Sequence, residues 1–222
     1  MAGESRRTRT VPALAVLALL LGLALTGCGS SGDAGTGAAV TDVRGTDDDG
    51  YRGIKLTTQE SYDVPHVALE TDRGTPFDLA AQDRRTLVFF GYTNCPDICQ
   101  VVMSSIASAM AKLPAADRDR LQVAFVTTDP ARDTPGVLRR YLDRLDPDFV
   151  GVTGSLRSIA ALGKPMGIDI LKGQKLPSGG YEVDHTTNVI SVRDGVGDLV
   201  WTASTSPADI AADLRQVLKA DA

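Results

Sequence analysis

Two cysteines four positions apart, Cys95 and Cys99, with Pro96, Asp97 and Ile98 between them, are the residues whose type and spacing most directly offer chemistry. They stand where a strand-like run, Thr86-Leu87-Val88-Phe89-Phe90, gives way to helical spacing at Ile98, Val101, Val102, Ile106, Ala109, Met110 and Leu113. A helical turn brings residues i and i+4 to one face, so both sulfurs would point the same way and could share one soft ion. The free N–H groups and the dipole at a helix N-terminus favour the thiolate, the form that binds metal and attacks disulfides. Two other readings of the pair stay open: small buried hydrophobes, or an inert structural disulfide, which this spacing still permits.

Two thiolates rarely complete a metal site, and the sequence holds two histidines. His66, in Asp63-Val64-Pro65-His66-Val67, reads as an exposed or half-buried residue of an edge strand and is not assigned a role. His185, in Val183-Asp184-His185-Thr186-Thr187, follows a stretch containing Gly173, Gly179 and Gly180 and immediately precedes a strand. If that strand lies beside the first one, the loop leading into it reaches the cysteine loop. Two thiolates with an imidazole suit copper, because soft sulfur selects Cu(I) and imidazole tolerates Cu(II); zinc is the competitor. Asp129, in Asp129-Pro130 at the end of the second buried strand, either supports the site through hydrogen bonds or simply shapes a turn. Asp184 has the same two readings, although adjacent side chains on extended chain point to opposite faces.

The third cysteine belongs to a different argument. Arg6, Arg7 and Arg9 precede an apolar run, Val11 to Leu25, that is short for a membrane span of about 20 residues. It ends in Leu25-Thr26-Gly27-Cys28, which resembles a bacterial lipobox and implies a signal peptide at 1–27 and a lipidated Cys28 at the mature N-terminus. Residues 28–50 are mostly Gly, Ser, Thr, Ala and Asp, too poor in large apolar side chains to bury a core, and read as an acidic, Gly-rich tether. The folded domain is expected over 51–222. Export follows either the general route or, from Arg6-Arg7, a twin-arginine one. With 23 Lys and Arg against 28 Asp and Glu, the chain has no broad positive field, which argues against nucleic acid as a partner.

The remaining elements must position the cysteines. Leu121 to Thr127 reads as a second buried strand, followed by a helix with Thr134 as N-cap, Pro135 at its first position and Val137, Leu138, Tyr141, Leu142 and Leu145 inward. Phe149 to Val152 is a third strand and Leu156 to Leu162 a third helix. Thr187–Val192 and Leu199–Ala203 form a hairpin across Asp194-Gly195, and a last helix follows Ser206-Pro207, with Asp209 completing a capping box. This order implies an α/β fold, a mixed central sheet with helices on both faces in thioredoxin-like order. Val67–Thr71 and Phe77–Leu79, joined through Arg73-Gly74, add an N-terminal β-hairpin at the sheet edge.

Three separated blocks resemble the SCO/SenC family of thioredoxin-like copper-binding proteins, which serve cytochrome c oxidase assembly. They are Phe89-Phe90-Gly91-Tyr92-Thr93-Asn94-Cys95-Pro96-Asp97-Ile98-Cys99, Thr128-Asp129-Pro130-Ala131-Arg132-Asp133-Thr134-Pro135, and Val183-Asp184-His185-Thr186-Thr187. Asn94 and Gln100 depart from the residues frequent there, histidine and proline, and neither departure removes a ligand. The resemblance implies copper held by Cys95, Cys99 and His185, and a metallochaperone anchored through Cys28 to the lipid bilayer on the outer face of the cell membrane. Its implied partners are an upstream copper donor and the copper-binding subunit of cytochrome c oxidase. No catalytic turnover is required of such a protein. The alternative is a thiol-disulfide oxidoreductase that reduces the oxidase subunit's cysteines before metallation, with Cys95 and Cys99 as its redox pair. A peroxidase ranks below both, because the cysteine loop offers no pattern for polarising peroxide.

Overall fold

The computed structural model describes residues 49–170, 174–180 and 187–221. The expected signal peptide, Cys28, most of the expected tether, and 181–186 with Asp184 and His185 lie outside the described residues. The strands are β1 (Ile54–Lys55), β2 (Tyr62–Asp63), β3 (Leu69–Thr71), β4 (Pro76–Phe77), β5 (Arg85–Gly91), β6 (Leu121–Thr127), β7 (Val150–Thr153), β8 (Val189–Arg193) and β9 (Val196–Trp201). The helices are α1 (Ile98–Ala111), α2 (Ala115–Arg118), α3 (Pro135–Leu142), α4 (Leu156–Gly163) and α5 (Pro207–Ala220), with short 3-10 turns at Leu79–Ala81 and Lys164–Met166.

β5 and β6 are buried along their whole length, as unbroken apolar runs require when both faces of a sheet are covered. Alternate side chains then serve opposite layers. Leu87, Phe89, Val123 and Phe125 join one core with α1, α3 and α5, while Val88, Phe90, Ala124 and Val126 join the other with α4 and the N-terminal strands. The strands run in the order β1-β9-β8-β5-β6-β7-β3-β4, with β2 also on β9. β5, β6 and β7 are parallel, and β8, β9 and β3 are antiparallel to their neighbours. This is the expected mixed sheet of a thioredoxin-like fold, and the β3–β4 hairpin widens it at the β7 edge.

The differences from the sequence reading have local causes. Val67 and Ala68 precede β3, so His66 sits in an unpaired extended stretch and not in an edge strand, where its exposed ring bonds the Asp78 carboxylate at 2.8 Å. Thr134 holds the N-cap position of α3, but its hydroxyl makes no cap bond; its carbonyl takes the N–H groups of Val137 and Leu138. At α5 the Ser206 hydroxyl accepts from the Asp209 N–H and donates to the Asp209 carboxylate, so that pair faces itself across the cap instead of forming the reciprocal box. β1, β2 and α2 carry too few residues for a periodic signal. Two polar staples complete the frame. The buried Asp213 carboxylate accepts from the N–H groups of Arg52 and Gly53 and from the Trp201 indole. Arg85, 3% exposed at its side chain, bonds Asp198, Asp221 and Ser191, tying the start of β5 to β8, β9 and the end of α5.

Candidate metal centre

The cysteine loop leaves the C-terminal end of β5, where the sheet delivers Tyr92–Asp97 into the start of α1. Asp133, fully buried, holds this loop down. One carboxylate accepts from the Thr93 N–H at 2.9 Å, from the Thr93 hydroxyl at 2.6 Å and from the Thr127 hydroxyl at 2.7 Å, so the loop is pinned to the end of β6. Cys95 closes a turn through its N–H to the Tyr92 carbonyl at 3.1 Å and stays outside the helix. That corrects the expected common helical face. Pro96 disfavours helical backbone at the residue before it, so Cys95 is carried on the turn while Cys99 lies in the first turn of α1. The two nevertheless meet. Cys95 packs, partly exposed, against the cluster that contains the buried Cys99.

The electrostatics also depart from the expectation of a favoured thiolate. Burial, followed by the neighbouring Cys95 thiol, pushes the Cys99 thiol well above its ordinary range. The backbone N–H groups near Tyr92 and at Cys99 pull the other way, as the helix-terminus argument requires, and they lose. A buried dithiol of this kind gives up its proton when a cation or a hydrogen-bond donor takes the charge. Gly91 makes room for it: a Cβ there would stand 2.9 Å from the Phe89 ring and 3.0 Å from the Cys99 sulfur.

Asp129 is fully buried at the same end of the sheet and does more than shape a turn. Its carboxylate accepts from the Arg132 guanidinium and from the Ser178 hydroxyl at 2.6 Å, and Gly180 lies so close that a Cβ there would fall 2.4 Å from an Asp129 oxygen. It therefore fixes the chain at 178–180, just ahead of 181–186. On the far side of that segment, β8 pairs antiparallel with β5, Ile190 opposite Val88, so its first residues lie level with the cysteine end of β5. Both anchors of the stretch that contains His185 are thus at the cysteine end. Among the described residues no group of three His, Cys, Asp or Glu side chains converges. Asp133, Gly91 and the latch made by Ser178 and Gly180 escaped the sequence reading, because each acts through contacts distant in the chain; Thr127 six residues before Asp133 was the only local sign.

A polar cleft lined by Arg84, Arg85, Arg120, Arg193, Asp83 and Asp221 lies at the opposite end of β5. Arg85 there is fully engaged by carboxylates, and the cleft lies away from the sulfurs.

Comparison with known proteins supplies the context. The SCO1/SenC family model matches residues 57–219. Apo Sco1 of Thermus thermophilus is 34% identical and superposes with a TM-score of 0.65 over 75% of this chain and 96% of that one. ScoI of Bradyrhizobium japonicum, solved with copper bound, is 28% identical with a TM-score of 0.56 over 69% of this chain and 98% of that one. The mitochondrial SCO2 protein of Saccharomyces cerevisiae is 27% identical over 143 residues, 59% of this chain and 48% of that protein. The chain spans from about half to under two thirds of the length of these curated relatives.

Proposed function

This chain belongs to the SCO1/SenC family, and on that footing we propose that it is a copper-binding chaperone for cytochrome c oxidase, with Cys95, Cys99 and His185 as the ligands. The observation that carries the reading is the convergence of the neighbouring cysteines, Cys95 and Cys99, with the two anchors of the His185 segment at one end of the sheet. The copper-bound relative supports the choice of metal. Soft sulfur suits Cu(I), and an imidazole allows Cu(II) as well. Binding releases the Cys99 proton, because a thiol must deprotonate to ligate. His185 is then the ligand that detaches first as an acceptor thiolate or imidazole enters, and the two sulfurs follow.

The site is carried outside the cell membrane by a lipid on Cys28 and the tether at 28–50, with residues 1–27 removed and 51–222 as the working domain. Among the described residues no helix is long and apolar enough to cross a membrane. The client is the copper-binding subunit of the oxidase, and an upstream extracytoplasmic protein supplies the metal.

The test is an anaerobic Cu(I) titration of the reduced full-length protein in detergent against a competing chelator. One equivalent should bind, with affinity falling at least about tenfold in His185→Ala and further in Cys99→Ser. Cys28→Ala should move the protein from the membrane to the soluble fraction. Binding that ignores His185→Ala, in a protein that still reduces a disulfide substrate through Cys95 and Cys99, would establish a thiol-disulfide oxidoreductase instead.

A further inference from the structure

The cleft at the far end of β5 encloses about 330 Å³, and its lining carries both signs of charge. Arg85 and Asp221 satisfy one another there through two hydrogen bonds. Three further guanidinium groups line the same cleft from different elements: Arg84 just ahead of β5, Arg120 just ahead of β6 and Arg193 at the end of β8. Arg84 donates to the Leu121 carbonyl at 3.2 Å, and Arg193 donates to the Asp83 carbonyl and the Asp194 carboxylate, so both are held at the wall with N–H groups to spare. Burial works against the charge of Asp221, and the hydrogen bonds of Arg85 with the fields of Arg193 and Arg120 outweigh it, holding that carboxyl below its usual range. Asp83 and Asp119 line the cleft as well, both exposed, and among the described residues no ion pair joins either of them to an arginine. Donor forks and free carboxylates thus share one concavity without neutralising each other.

A guanidinium fork matches the oxygens of a phosphate, and a carboxylate accepts from a primary ammonium. One small group presents both, a phosphate diester with an ammonium two carbons away. The path of the chain says where such a group is met. The Asp49 carbonyl accepts from the Gln216 side chain at 2.8 Å, and Gln216 lies only about 7.5 Å before Asp221 along α5 at helical rise. Lys55 bonds Asp198, which in turn bonds Arg85. The folded domain is therefore entered at the end that carries this cleft. The steps from Cys28 to Asp49 span at most about 70 Å, so an anchor at Cys28 keeps the domain near the bilayer and leaves its orientation open. We propose that the cleft takes the headgroup of a phosphatidylethanolamine-type lipid, its phosphate on Arg84, Arg120 and Arg193 and its ammonium on Asp83 and Asp119. Docked in this way, the domain turns its cysteine end away from the membrane and toward its partners. The proposal rests on the reading of Cys28 as a membrane anchor and is independent of the metal at the sulfurs.

The test titrates the full-length protein in detergent with dihexanoyl phosphatidylethanolamine, phosphatidylcholine and phosphatidylglycerol, and with free phosphoethanolamine, read by calorimetry. Phosphatidylcholine keeps the phosphate but its ammonium donates no hydrogen bond, and phosphatidylglycerol has no cation. Phosphatidylethanolamine should bind at least about tenfold more tightly than either, and Arg120→Gln and Asp119→Asn should each remove about tenfold of that affinity while Cu(I) binding stays unchanged. Should Arg120→Gln fail to fold, Arg84→Gln gives the same reading. In nanodiscs, a photoreactive group on the phosphatidylethanolamine headgroup should label the peptides holding Arg84 and Arg120. Equal binding of the three lipids, variants that bind as wild type, or labelling at the cysteine loop instead overturns the proposal. Free phosphoethanolamine binding as tightly as the lipid, with no labelling in nanodiscs, also overturns it and makes the cleft a site for a soluble zwitterion. Release of Cys28→Ala from the membrane tests the anchor alone: a failed anchor with lipid preference intact leaves the cleft standing, and a sound anchor without that preference removes the cleft alone.

Discussion

Cys99 carries its own pH signature. Its thiol lies above the ordinary value of 9.0 in the folded, metal-free protein because burial disfavours the charged form. An acid raised on folding holds its proton more tightly in the native than in the unfolded chain, so its contribution to stability is complete below the unfolded value and is lost as pH rises past it. Denaturant midpoints of the reduced protein should therefore fall from about pH 9 upward, and Cys99→Ala should flatten that slope; an unchanged slope would refute the assignment. At this scale the sequence was legible wherever chemistry lies in residue type and spacing, as at Cys95 and Cys99. It was silent where a role comes from distant partners. Asp133 reaches back forty residues to Thr93, and Gly91 matters because the Phe89 ring and the Cys99 sulfur crowd the place a Cβ would take. Asp129 was visible but ambiguous, because its partner Ser178 is 49 residues away.

At the scale of elements, the β5-to-α1 junction depends on a close approach of backbone to sulfur. Gly91→Ala would drive a methyl into the Phe89 ring and the Cys99 sulfur, both of them buried. We expect a loss of about 1–3 kcal/mol in stability, read by urea unfolding, together with weakened metal binding at the displaced sulfur. The long strands were readable because β5 and β6 are continuous apolar runs, and the helices because their inward positions recur at helical spacing. The β3–β4 hairpin was announced by Arg73-Gly74, where Gly74 takes the left-handed backbone at φ 74°. β1 and β2 could not be read, since two-residue strands exist only by pairing with β9, about 140 positions away. Pro96 settled the cysteine geometry against the simple periodic extrapolation by holding Cys95 out of the helix.

Across the molecule, the proposed metal site and the Arg85 charge network occupy opposite ends of β5, about 20 Å apart at strand rise. Arg85, Asp198, Asp221 and Ser191 secure one end, and the cysteine loop, Asp133 and Asp129 occupy the other. Stability and cargo binding are therefore separable: Arg85→Met should cost about 3 kcal/mol in thermal or denaturant unfolding yet leave the stoichiometry and affinity of Cu(I) unchanged at temperatures where the protein is folded. A coupled loss of affinity would show that the two ends communicate. The latch of Asp129 on Ser178 and Gly180 has a consequence in loop-closure entropy. With it in place, six residues, 181–186, separate the fixed ends around His185; without it, the next buried anchor upstream is Ile170, and sixteen residues must be closed. Each doubling of loop length costs only about 0.6 kcal/mol, so the latch lowers the cost of closing this segment by on the order of 1 kcal/mol. On the proposed copper reading, that is enough to favour engagement of His185 and still small enough for an acceptor to displace it.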